Sequence, residues 1–161
     1  MEFLPSLADN SRVWIYLSDR KFTSDESNAL SAALKDFVSQ WKAHGTQLSA
    51  DFQLMDGQVI FIGVDESMQN ATGCSIDSQV HFMQELGKQL HADFFNRQLL
   101  ALCTDAGLSV ISFEALNKGL SSGEFSPENK VLDHLQTSLG GLRAKGVVAL
   151  KDSWHMNLVS A

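Results

Sequence analysis

The chain has 161 residues, 44% hydrophobic and 19% charged, enough for one ordinary domain with a real core. Its formal net charge of -7, from 12 Lys+Arg against 19 Asp+Glu, counts against a phosphate-neutralising nucleic-acid face and against a polybasic membrane face. Two prolines and 11 glycines exclude collagen-like and proline-rich chains.

The first predicted element is the run Arg12-Val-Trp-Ile-Tyr-Leu17, β-branched and aromatic as a strand requires. Val13, Ile15 and Leu17 share one face and Trp14 and Tyr16 the other, so both faces are apolar and both call for a cover. Thr23 or Ser24 then caps a helix whose first-turn acids, Asp25 and Glu26, suit the positive end of its dipole. Leu30, Ala33, Leu34, Phe37, Val38 and Trp41 recur at helical spacing, and Gly45 is placed to stop a helix spanning 24–44. Segments 47–54 and 58–64 flank Met55-Asp56-Gly57, whose Asp-Gly pair predicts a hairpin. A polar loop over 65–77 leads into a second helix with Ile76, Val80, Met83, Leu86 and Leu90 on one face. Segments 98–103 and 108–112 flank Thr104-Asp-Ala-Gly107 and predict a second hairpin.

The order β-α-β-β-α-β-β predicts an α+β fold: a mostly antiparallel sheet with helices packed on one face, a ferredoxin-like (split βαβ) core with an added strand. Beyond it the sequence predicts a short helix over 113–118 ended by Gly119. A helix follows from Ser126-Pro127-Glu128, with Val131, Leu132, Leu135 and Leu139 as its apolar face and Gly140-Gly141 as its stop. Val147 to Leu150 reads as an edge strand, and Trp154 as the residue that pins the tail to the core. Residues 1–161 form one domain in this reading, a core of about 11–112 and a C-terminal helical extension of about 113–161.

No GxxxxGK[ST] string occurs to cradle a nucleotide's phosphates, and no GxGxxG to cradle a dinucleotide. The segment Gly140-Gly-Leu-Arg-Ala-Lys-Gly146 reads as a helix stop and a loop. Neither ATP hydrolysis nor a cofactor is expected. The histidines His44, His81, His91, His134 and His155 form no HExxH or HxH, and no CxxC exists. Asp65, Glu66 and Asp77 surround one loop without the order of a calcium loop, so no metal is expected. The first five residues lack a basic n-region and an apolar h-region, and no apolar run approaches the ~20 residues that span a bilayer. The expectation is a cytoplasmic protein whose Cys74 and Cys103 stay reduced, with no membrane and no nucleic-acid partner.

The chemically densest stretch is Gly63 to Ser78, followed by His81. It runs from a buried strand through a polar loop to a helix N-terminus, where free amides and the dipole favour an anion. With Ser75 as N-cap, Cys74 stands just outside the helix and Ser78 at its third position. The expected ligand-binding residues are Asp65, Glu66, Ser67, Gly73, Cys74, Ser75, Asp77 and Ser78. A thiol at such a position tends towards thiolate, so Cys74 with His81 or His155 forms a candidate catalytic set. The plainer reading keeps Cys74 as a small core residue and Ser75 and Asp77 as ordinary helix-start residues.

The strings Val13-Trp-Ile-Tyr16, Ser18-Asp-Arg-Lys-Phe-Thr23, Gly63-Val-Asp-Glu-Ser67, Gly73-Cys-Ser-Ile-Asp-Ser78 and Asp152-Ser-Trp-His155 resemble a family of small uncharacterised bacterial proteins often labelled "ABC transporter ATPase". The label implies nucleotide hydrolysis. This sequence has no Walker motif and no ABC signature string, and is too short for a full ATPase domain, so the label is taken as mistaken. The leading expectation is a non-enzymatic binding or interaction module that self-associates as a homo-oligomer. The alternative is a thiol-dependent transferase or hydrolase using residues 65–81. The second alternative is a regulator that binds a small anionic ligand at the Ser75 helix start.

Overall fold

The computed structural model describes residues 1–159; the last two residues of the expected C-terminal segment lie outside the described part. Strand β1 (Arg12–Leu17) forms as its composition predicts. Helix α1 (Ser24–Gln40) starts at a capping box, in which the Thr23 hydroxyl accepts from the Glu26 amide and the Glu26 carboxylate accepts from the Thr23 amide. The helix ends short of the predicted position. Trp41 is extended, with ψ 124°, and His44 and Gly45, at φ 51° and 76°, make the turn between β2 (Lys42–Ala43) and β3 (Thr46–Gln47).

The Asp56-Gly57 hairpin is present between β4 (Ser49–Met55) and β5 (Val59–Asp65), both turn residues having positive φ. Helix α2 (Gly73–Leu90) follows, then the second hairpin of β6 (Leu99–Thr104) and β7 (Gly107–Ser112). After it come α3 (Phe113–Ser122), β8 (Lys130–Leu132), α4 (Leu139–Lys145) and β9 (Val147–Ala149). Two 3₁₀ turns, Leu150–Asp152 and Trp154–Leu158, close the described chain.

The fold is α+β with antiparallel pairing throughout, and its strands lie in two main sheets, ordered β1-β5-β4 and β7-β6-β8-β9, besides the short β2-β3 ribbon. A split βαβ core needs β6 hydrogen-bonded beside β1; here β6 pairs with β7 and β8 instead. Alternation along each strand divides the core three ways. On β5, Ile60, Ile62 and Val64 meet α1 and α2, whereas Val59 and Phe61 meet the second sheet. On β6, Leu99 and Ala101 point back towards the first sheet, and Leu100 and Leu102 pack under α3 and the C-terminal turns. The layers are therefore helix pair, sheet, sheet, and helix with tail. As predicted, α1 and α2 share one face of the first sheet; the other face is covered too, which explains the two apolar faces of β1.

The segment after residue 112 is not a helical appendage, because β8 and β9 complete the second sheet. The helix expected from Ser126 is absent. Val131 enters the third core and Leu132 the second, a strand's alternation, and Leu135 is exposed. Gly140 and Gly141 open α4 rather than ending a helix. A Cβ on Gly140 would stand 3.0 Å from the Asp9 carbonyl oxygen, so this glycine admits the N-terminal segment. Gly119 lies inside α3 under the Phe125 ring, and Gly123, at φ 80°, ends that helix. No helix among the described residues is long and apolar enough to cross a membrane.

Candidate functional site

Thr72, not Ser75, caps α2. The Thr72 hydroxyl accepts from the Ser75 amide at 3.3 Å, and the Ser75 hydroxyl accepts from the Thr72 amide at 2.7 Å. This Thr-x-x-Ser box starts the helix at Gly73 and moves every expected position. Cys74 becomes the second helical residue, exposed in the first turn. Ser75 becomes the third and is buried, its carbonyl accepting from the Trp41 indole at 2.8 Å and from the Ser78 hydroxyl at 2.8 Å. Both serine hydroxyls are engaged within the helix start. The amides of Gly73 and Cys74 have no acceptor among the described residues, and the first turn holds no carboxylate.

A cavity of about 400 Å³ opens at this helix end, lined by Lys42, His44, Thr72, Gly73, Cys74, Ser75 and Ser78. It shares Lys42 and Ser78 with a groove of about 410 Å³ between α1 and α2. The groove is walled by Phe37, Trp41 and Phe82, with Asp36 and Gln40 also on its rim. Phe37 stacks on Phe82, with ring centroids 4.4 Å apart, and leans on Trp41 at 5.2 Å.

Of the residues singled out in the sequence, Gly73, Cys74, Ser75 and Ser78 line this cavity and the others do not. Asp65 and Glu66 hold their own loop: Asp65 accepts from the Ser67 amide at 2.9 Å and Glu66 from the Ala71 amide at 2.9 Å. The Ser67 contact also keeps the Asp65 carboxyl below its ordinary pKa. Asp77 and His81 are exposed further along α2. His155 is fully buried in the third core, stacked on Trp154 and Phe113, so the expected set of Cys74 with His81 or His155 is not assembled. The imidazole that shares a cavity with Cys74 is that of His44. His44 and Lys42 are missed when the helical stripe is carried on through Trp41; the His44-Gly45 pair is the turn signal that locates them.

No group of three or more His, Cys, Asp or Glu side chains suited to hold a metal occurs among the described residues. Comparisons of the chain with protein-family models, with curated proteins and with solved structures find no match.

Proposed function

We propose that the protein is a non-enzymatic binding module for a small amphipathic anion. The observation that carries this reading is the junction at Lys42 and Ser78, where an aromatic groove runs into the start of α2. The two amides without acceptors sit at a helix end worth roughly half a positive charge, and the Lys42 ammonium adds to the same field. An apolar chain or ring lies along the groove against the contiguous rings of Phe37, Trp41 and Phe82. Asp36 at the groove rim fixes the polarity, with the anionic group at the α2 end. Each cavity falls within the ~300–1,000 Å³ range of small-molecule sites. The two unpaired thiols suit the reducing cytosol as the place of action.

The test is a titration of backbone amide shifts with octanoate, octanol and inorganic phosphate. Octanoate is expected to move Gly73 to Ser75 and the Trp41 indole together, and to bind at least tenfold tighter than either half alone. Lys42→Gln is expected to weaken octanoate up to about fivefold, the size of an exposed charge contact. Equal binding of phosphate and octanoate, or no movement at the α2 start, sinks the proposal.

One observation favours a thiol-dependent enzyme as the second reading: Cys74 and His44 line the same cavity. Its signature is a Cys74 alkylation at neutral pH that is faster than that of free cysteine and slows in His44→Gln. An alkylation profile like that of free cysteine removes this reading and leaves the first intact.

A further inference from the structure

We propose that residues 153–159 form a proton-operated latch, in which neutral His155 holds the segment on the outer face of the second sheet and protonation of His155 and His134 releases it. The first ground is how the segment is attached. The Leu150 amide donates to the Asn129 carbonyl at 2.7 Å and the Lys151 amide to Pro127 at 2.9 Å, which anchors the chain up to that point. Beyond it, the Ser153 amide reaches back only to Leu150 in the adjoining turn, and the Met156 and Val159 amides donate within the segment, to Ser153 and Met156. Past Ser153, side chains hold the latch: Trp154, Met156 and Val159 on the third core, His155 stacked on Phe113, and the Trp154 indole donating to Asp133 Oδ1 at 2.9 Å.

The second ground is the tautomer that the network imposes on His155. The Ser153 hydroxyl donates to the Leu150 carbonyl at 2.7 Å, so it accepts from Nδ1–H of His155 at 3.2 Å. Nε2 then carries the lone pair, buried and without a partner. Neutral imidazole tolerates this position because its ring is stacked on Trp154 at 3.8 Å. Protonation places a charged N–H there with nothing to receive it, the costly case for a buried polar group.

The surrounding charges do not rescue it. Asp133 accepts from Trp154 and Leu135 through Oδ1 and from Gln136 through Oδ2, and neither oxygen is hydrogen-bonded to His155 Nε2. The His134 ring, 5.7 Å from that of His155, also has an unpartnered buried nitrogen, and its protonation adds a like charge. Arg97 lines the hollow on the far side of His134, and Lys145 and Asp152 line the small cavity beside Trp154. Lys151 is paired outward with Glu128, and the Glu114–Lys118 pair of α3 is exposed; α3 meets His155 with the uncharged Phe113 ring. Burial, then the neighbouring His134, pushes His155 down to about 4 despite the pull of Asp133, and burial also lowers His134.

The direction follows from linkage. A histidine depressed in the closed state binds its proton better in the open one, so closure is complete above the ordinary value of ~6.5 and is lost as pH falls towards 4. His155 multiplies the open-to-closed ratio by up to about tenfold per pH unit across that window, and His134 acts in the same direction. Release takes Trp154, His155, Met156 and Val159 off the third core and uncovers Phe113 at the start of α3.

The test is hydrogen exchange of the full chain from pH 7.5 to 4.5, corrected for intrinsic exchange rates. Protection of residues 153–159 is expected to fall at least tenfold between pH 6.5 and 5 while β5 and β6 keep theirs. His155→Phe keeps the ring stack without the proton and is expected to flatten that fall. Protection that does not change with pH, or that is lost together with β5 and β6, overturns the proposal, as does an unchanged fall in a His134→Phe, His155→Phe chain. Should the variants not fold, the His155 ring proton titration of the native chain decides: an apparent pKa below 5.5 supports the latch and one near 6.5 refutes it.

Discussion

Arg143→Ala is expected to destabilise the protein by about 3 kcal/mol, and Asp9→Ala by less than about 0.5 kcal/mol. From α4, the Arg143 guanidinium donates to Phe3 O at 3.0 and 3.2 Å, Leu4 O at 2.9 Å and Leu7 O at 3.0 Å, and to Asp9 Oδ1 at 2.6 Å. Nη2 has two hydrogens for three carbonyls, so the cluster counts as two or three effective bonds. Each charge-assisted bond contributes roughly 1.5–3 kcal/mol, less where water shares the site, and the Arg143 side chain is 30% exposed; about 3 kcal/mol results. The grip matters because Phe3 and Leu4 are buried in the second core, and Leu4 sits at φ 43°, a region that costs a non-glycine residue ~1–2 kcal/mol. Asp9 is 74% exposed, and a pair so placed contributes little. Arg143→Lys is expected to recover less than half, since an ammonium cannot reach three carbonyls as a planar fork does. Urea unfolding at pH 7 measures all three variants. If Arg143→Ala stays within about 0.5 kcal/mol of the native chain, the carbonyl cluster does not hold the N-terminal segment. If Asp9→Ala matches it, the ion pair is the working contact instead.

Gly107→Ala is expected to cost more than about 2 kcal/mol in thermal unfolding, because Gly107 sits at φ 117° and an added Cβ would meet Asp56 Oδ1 at 2.6 Å. Asp56→Ala is expected to cost about 1–2 kcal/mol by removing the acceptor of the Leu108 amide at 2.7 Å; equal stability for either variant means that this tie between the hairpins is idle. Iodoacetamide at pH 8 is expected to label exposed Cys74 and spare Cys103, whose thiol burial pushes up to about 11; mass spectrometry showing equal labelling contradicts that burial. Phe37→Ala is expected to cost about 2 kcal/mol, short of the ~3–5 of a fully buried aromatic, since Phe37 is half-buried on the groove wall. It should also weaken octanoate, and an unchanged affinity takes Phe37 out of the site.

The parts legible in the sequence are those decided locally. The β1 alternation, the Thr23 box and the Asp56-Gly57 turn each lie within a few residues, and all three stand in the structure. Where distant partners decide, the same letters mislead. Val131, Leu132, Leu135 and Leu139 fit a helical face, but β6 and β9 take 130–132 as a strand and split its apolar side chains between two cores. The buried face of α2 is rotated from the apolar stripe for a related reason. Ser75 lies inside with its hydroxyl bonded to Thr72, and Gln79 with its Oε1 accepting from the Tyr16 hydroxyl at 2.7 Å while its Nε2 has no partner among the described residues. A stripe drawn through apolar residues alone cannot include them.

The candidate site shows the same division at finer grain. Its helix end is visible as a run of Thr, Gly and Ser, yet three residues of register decide what it offers. With Ser75 as cap, Cys74 lies outside the helix and the serines are free to meet a ligand. With Thr72 as cap, Cys74 is inside the first turn, the serine hydroxyls are engaged, and what remains at the surface is the backbone of Gly73 and Cys74. In the function proposed above, recognition then passes from side chains to amides, which bind an anion's charge and leave its identity unread. Selectivity in that proposal rests on the groove beyond Lys42, whose wall is the contiguous surface of Phe37, Phe82 and Trp41.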